Sequence, residues 1–194
     1  MNIFRKLFNI PIKEDIEIKK QEVKLSLDDL FVHNFVNKGG KFLYCTKKQE
    51  VVENLQKVLL ENNWHQIHLL EKQLSLFLNK KSIQVLEKHT LMSPVFTTCE
   101  HLIADKGDIL FSSNQLGSVK LNGYSENFIV FATTSQLVKD TGQGLTGIKL
   151  NNSGSLPTNI SSIKNYSINK NDDNFLNYGN SNSKNLYLLL LEDL

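Results

Sequence analysis

The stretch Ser26–Leu70, SLDDLFVHNFVNKGGKFLYCTKKQEVVENLQKVLLENNWHQIHLL, decides the fold. It reads helix, strand, helix, strand. Leu27, Leu30, Phe31 and Phe35 make an apolar stripe at helical spacing. Ser26 can cap that helix, and Asp28 and Asp29 sit where a helix N-terminus favours negative charge. Gly39-Gly40 ends it after about Asn37. Lys41–Cys45 follows as a short strand. Thr46 then caps a second helix running to about Asn62, with Val51, Val52, Leu55, Val58 and Leu59 on one face. Gln66–Leu70 is a second strand. Strands joined through helices predict a parallel sheet with right-handed crossovers. The expected fold class is α/β, a three-layer, open, mostly parallel sheet.

Outward from this stretch the signals are shorter. Leu74–Leu78 reads as a short helix, Ile83–Leu86 as a strand, and residues 88–98 as a loop around Pro94. His101–Ala104 and Ile109–Ser112 are strand-like runs separated by Asp105-Lys106-Gly107-Asp108, a turn that predicts a hairpin-like pair. Phe128–Ala132 is a strand. Thr134 or Ser135 caps a helix that passes through Leu137 and Val138 toward Leu150. Ile160–Ile163 is another strand. Asn165–Lys184, rich in Asn, Asp, Ser and Gly, is expected as a mobile surface loop. Leu186–Leu191, apolar on both faces, suits a central parallel strand. Residues 1–24 read as a tail or docking arm, with Ile3, Phe4, Leu7 and Phe8 at helical spacing before Pro11. Residues 25–194 are expected to form a single domain.

Composition narrows the function classes. The chain has 194 residues, 40% hydrophobic and 22% charged, values close to the globular average that argue against wholesale disorder. A formal charge of +2 lacks the strong basic excess of a nucleic-acid binder. The two cysteines, Cys45 and Cys99, form no CxxC pair, so this chain carries no Cys-rich cluster site. Free cysteines without a signal peptide predict a cytoplasmic location. The longest apolar run, Leu186–Leu191, falls far short of the ~18–20 residues of a membrane helix. No nucleic acid, transmembrane segment, cofactor or metal is expected, and the oligomeric state stays open.

Five motifs compete for attention. Gly142-Gln143-Gly144-Leu145-Thr146-Gly147 satisfies GxGxxG. A dinucleotide site needs it directly after a strand, with an acid ~20 residues on, and the segment ahead reads as helix. Glycines weakening an amphipathic helix are the plainer reading. Ser125-Glu126-Asn127 is similar to the segment carrying the catalytic glutamate of some CoA transferases, but Glu126 precedes its strand. Cys99-Glu100-His101 puts a thiol and an imidazole on one face of a strand, where i,i+2 neighbours rarely reach hydrogen-bond geometry. His65 and His68 would share a face only on a helix. The turn Ala104–Asp108 is the most interesting. Asp105 is the candidate acid/base or acceptor, Lys106 the candidate anion clamp, Gly107 the point of close backbone approach, and Asp108 completes the ligand-binding set. Its plainer reading is an ordinary turn with solvated charges.

The run Glu100-His101-Leu102-Ile103-Ala104-Asp105-Lys106-Gly107-Asp108-Ile109-Leu110 resembles the hallmark of the LUD-domain family, the lactate-utilisation proteins of LutC type. That family shows an Ala-Asp/Glu-Thr-Gly-Ser/Thr turn before an apolar strand. Phe128–Ala132, Thr134–Val138 and Leu156-Pro157 leading to Asn159–Ser161 resemble later family segments, in the family's order. The resemblance implies a fold like the NagB/RpiA/CoA-transferase group. It also implies a role around oxidation of lactate or similar organic acids, often beside an iron–sulfur partner subunit. Lys106 and Asp108 depart from the family's Thr and Ser/Thr, and Ser125 and Asn127 from its Pro and His. Two readings follow. One is a LutC-like accessory protein binding a small anionic metabolite or a partner subunit. The other is an enzyme acting on a sugar phosphate or CoA ester, with Asp105 as acid/base.

Overall fold

The computed structural model describes residues 25–79, 82–152, 154–167 and 182–193. The tail 1–24 and most of the loop expected over 165–184 lie outside them. Helix α1, Leu27–Asn37, starts where Ser26 accepts a hydrogen bond from the Asp29 N–H. Strand β1, Lys41–Cys45, is followed by helix α2, Lys48–Glu61. Thr46 is not the cap of α2. Lys47 occupies that position, while the Thr46 N–H donates to the Glu50 carboxylate from outside the helix. Strand β2, Gln66–Leu69, precedes a 3-10 turn at Lys72–Phe77 and strand β3, Gln84–Leu86.

The loop expected over residues 88–98 hides strand β4, Val95–Thr97. Three residues after Pro94 give no periodicity, yet all three are buried in the middle of the sheet. Strands β5, His101–Ile103, and β6, Asp108–Phe111, form the expected antiparallel pair. A one-turn helix α3, Ser113–Leu116, and strand β7, Asn127–Thr133, come next. The helix expected from Thr134 is a correction. Thr134–Gln136 is a single 3-10 turn, and Leu137–Val138 is strand β8, paired with β5. Helix α4, Thr141–Asn151, begins only where Asp140 accepts from the Gln143 N–H. Strands β9, Ser161–Ile163, and β10, Asn185–Leu191, complete the set.

Six strands form an all-parallel sheet in the order β1-β10-β7-β4-β2-β3. β10 lies between β1 and β7, and its Leu run is covered on both faces, Leu186, Leu188 and Leu190 on the α1 side and Leu189 and Leu191 on the α2 side, which explains its unbroken apolar pattern. One face packs Val51, Leu55, Val58 and Leu59 of α2 against Ile129 and Leu189. The opposite face packs Phe31 and Phe35 of α1 against Val130, Leu188 and Leu190. Each fully buried Phe contributes roughly 1.5–3 kcal/mol.

The third layer is more than a helix. Beside α1 lies a four-stranded sheet in the order β8-β5-β6-β9, whose inner residues Leu102, Ile109 and Phe111 join the α1-side core. Its outer residues Ile103, Leu110 and Val138 pack under Ile148 of α4. No described helix is long and apolar enough to cross a membrane.

Candidate functional site

The turn between β5 and β6 is tied down from three sides. Gly107, at φ +64°, turns the chain so that its N–H reaches the Ile103 carbonyl at 2.8 Å. The Asn34 side chain on α1 donates to the carbonyls of Ala104 and Asp105, at 2.9 and 3.2 Å. On the other side, the Ala104 and Asp105 N–H groups donate to Val138 and Lys139. From the segment after β9, the Tyr166 hydroxyl donates to the Gly107 carbonyl at 2.7 Å and the Ile163 carbonyl at 3.1 Å. Burial, reinforced by the Asp108 charge, holds that phenol well above its ordinary pKa. A Cβ on Gly107 would run into the backbone of Phe35 and Asn34. The close approach this glycine permits is therefore to α1.

A crevice of about 400 Å³ opens beside the turn. Its charged lining is Lys38, Lys106, Lys164 and Asp108; Thr141 and Ser162 add hydroxyls, and Ile103 and Leu110 give an apolar wall. Lys38 caps the end of α1, Lys164 follows β9, and Thr141 opens α4. Asp108 is buried, with its side chain 6% exposed, and accepts from Lys38 Nζ at 2.7 Å. It fixes one of the three lysines of the lining. Lys106 and Lys164 are exposed, and neither has a carboxylate partner among the described residues. Lys106 reaches the Thr141 hydroxyl at 3.4 Å. Of the four turn residues singled out from sequence, Lys106 and Asp108 line the crevice. Gly107 holds the turn against α1, and the Asp105 side chain is exposed outside the crevice.

The carboxyl edge of the parallel sheet, where open α/β sheets commonly take ligands, is built differently. Between the ends of β2 and β4, Glu71 accepts from Thr98 Oγ1 at 2.7 Å, from the Thr98 N–H and from Thr97 Oγ1. Burial pushes this carboxyl above its ordinary range, and the threonine hydrogen bonds oppose the shift. Beyond β10, Asp193 accepts from Ser135 Oγ, Thr134 Oγ1 and the Ser135 N–H, which hold its carboxyl well below the usual range. Gln136 donates to the Cys99 and Glu100 carbonyls. The described polar groups here are satisfied by one another.

The other motifs resolve into packing. A strand, β8, does precede Gly142–Gly147, but these glycines lie within α4, and two of them, Gly144 and Gly147, let it sit close to the small sheet. A Cβ on Gly144 would press on Ile103 at 3.1 Å, and one on Gly147 on the His101 ring at 2.7 Å. His101 Nδ1 lies 3.3 Å from the Gln136 carbonyl, and its buried Nε2 has no partner among the described residues. The Cys99 thiol is buried, and desolvation raises its pKa far from thiolate formation. Glu126 is exposed ahead of β7. His68 reaches the Leu86 carbonyl while His65 is exposed. No three His, Cys, Asp or Glu residues converge as metal ligands among the described residues.

Sequence reasoning missed Lys38, Lys164, Thr141 and Ser162. Lys38 beside the helix-ending Gly39-Gly40 was a weak local flag. Nothing in spacing connects it to Lys164, because only the sheet topology brings the two together. It also missed Lys184, which is buried, donates to the Tyr124 and Ser125 carbonyls, and is lowered to about 8 by desolvation.

No family model matches the sequence, and no curated protein matches it. A solved structure does. A DUF162 family protein from Deinococcus radiodurans superposes with a TM-score of 0.62 at 12% identity, covering 88% of this chain and 100% of that one. With so few shared residues, what the two chains have in common is their fold, an α/β architecture with a parallel sheet at its centre.

Proposed function

We propose that this chain is a LUD-domain protein that binds a small organic anion in the crevice beside the β5–β6 turn. DUF162 and the LUD domain are one family. The shared fold and the ordered motifs around Ala104–Asp108, Phe128–Ala132 and Thr134–Val138 support membership. The observation that carries binding is the lining itself: three lysines against a single carboxylate in about 400 Å³, a volume in the range of small-molecule sites. Within that reading the protein is a LutC-like accessory of lactate or organic-acid utilisation. It works in the cytoplasm and docks on an iron–sulfur partner subunit. The exposed Asp105, outside the crevice, gives no support to the enzymatic alternative.

Thermal unfolding of the full chain against lactate, glycolate, sugar phosphates, CoA, acetyl-CoA and NAD tests the reading. A bound anion at about 100 times its Kd adds roughly 2.7 kcal/mol, on the order of 5–10 °C for a chain this long. The shift is expected with a small anion and not with NAD. A flat response across the panel overturns anion binding.

A further inference from the structure

We infer that the ligand of this crevice is a compact dianion on a short carbon skeleton, a dicarboxylate or a phosphate monoester. The inference rests on the anion-binding reading above and names its ligand class. The first ground is charge. Asp108 neutralises Lys38 through the 2.7 Å ion pair, which leaves Lys106 and Lys164 in the lining without a carboxylate partner among the described residues. One carboxylate answers one of them, whereas two negative charges answer both. Lysines are compact point charges, so they select for charge number more than for the planar fork geometry that arginine demands.

The second ground is the wall. Ile103 and Leu110, themselves almost fully buried, back the crevice, so a bare inorganic ion gains nothing against them while a short carbon chain removes its own apolar surface from water there. The third is size. About 400 Å³ is near the small end of ligand sites, which favours a few-carbon molecule over a nucleotide.

The test is calorimetric titration of the full chain at pH 7.5 and constant ionic strength. A phosphate monoester is close to doubly ionised there, its second pKa being about 6. Succinate is compared with monomethyl succinate, and glycerol 3-phosphate with inorganic phosphate. Succinate is expected to bind at least about tenfold more tightly than monomethyl succinate, which corresponds to about 1.4 kcal/mol, and glycerol 3-phosphate more tightly than inorganic phosphate; equal affinity in the second pair overturns the carbon skeleton. Lys106→Met and Lys164→Met should each erase most of that preference, and both replace exposed side chains, so the fold is retained. Succinate bound more tightly than glycerol 3-phosphate assigns the dicarboxylate, and the reverse order assigns the monoester. Equal affinity for succinate and monomethyl succinate overturns the dianion while leaving anion binding intact. Dianion binding indifferent to both lysine variants places the ligand elsewhere and overturns the site. No heat with any of the four probes overturns the dianion, and the thermal panel above then decides whether any anion binds.

Discussion

The crevice beside the β5–β6 turn and the carboxyl edge of the parallel sheet are both lined by polar groups, but they dispose of them in opposite ways. At the edge, Glu71 is taken up by Thr97 and Thr98, Asp193 by Thr134 and Ser135, and Gln136 by the Cys99 and Glu100 carbonyls. In the crevice one ion pair, Lys38–Asp108, is closed and two lysines are left without a carboxylate among the described residues. Polar groups that satisfy one another rigidify a scaffold. Cations left over in a concave space are what the proposed anion site rests on. The difference teaches that the position open sheets generally favour for ligands is not the one this chain leaves available.

The largest effect tests what pins the β5–β6 turn beside the crevice. Gly107→Ala should lose about 3–4 kcal/mol of stability, because a strained φ and a collision with the α1 backbone add. Gly117, at φ +59° with open space around it, is the control: its alanine variant should lose only about 1–2 kcal/mol. Equal urea midpoints for the two would break the claim that the turn is pinned by α1. Next comes the closed pair. Lys38→Met strands the buried Asp108 carboxylate and should cost about 2–4 kcal/mol, and Lys38→Met/Asp108→Asn should recover at least half. A double variant no better than the single would mean that Lys38 matters through packing and not through charge.

Lys184 offers a third contrast, a cation with backbone acceptors but no cavity. Lys184→Met leaves the Tyr124 and Ser125 carbonyls unpartnered and should cost about 2 kcal/mol. Its pKa falls from 10.5 to about 8 on folding, so the unfolded chain holds the extra proton between those values. Stability attributable to Lys184 should therefore rise with pH from 8 to 10.5, by at most about 1.4 kcal/mol per unit. Denaturation midpoints across that window, wild type against Lys184→Met, check the sign.

The smallest effects separate two carboxylates on the same edge. Glu71 is shifted up by burial, so its contribution to stability is greatest in acid and declines as pH rises above 4.5. Glu71→Gln at pH 7 should change stability by less than about 1 kcal/mol, toward stabilisation. Asp193 is shifted down, so what it contributes is present above 3.8 and is lost on acidification. Side-chain carboxylate shifts followed by NMR from pH 2 to 7 should show Glu71 titrating above Asp193; the reverse order would break the description of this edge.

The legible parts of the chain are those where local chemistry and tertiary role agree. Ser26, the apolar stripe through Phe35 and Gly39-Gly40 bound α1 at both ends, and the Leu run of β10 declares its own burial. Val95–Thr97 was hidden because three residues carry no period; its identity as a strand comes from its neighbours β7 and β2. Leu137-Val138 reads as helix because Thr134 and Ser135 look like caps. The chain spends those side chains on Asp193 and delays the helix until Asp140. In the site, the turn was readable from Asp105-Lys106-Gly107-Asp108, but Lys38 and Lys164 reach it only through the sheet order, which no spacing encodes.

That sheet order bears on how the chain comes off the ribosome. Among the described residues β1 pairs with β10 alone, and β10 also closes on β7. Until residues 185–191 have emerged, β1 has no strand to join, and the newly made sheet presents an open, apolar β7 flank. Such a flank is a ready template for pairing with another chain, so the vulnerable interval in the life of this protein is the time between synthesis of β7 and synthesis of β10.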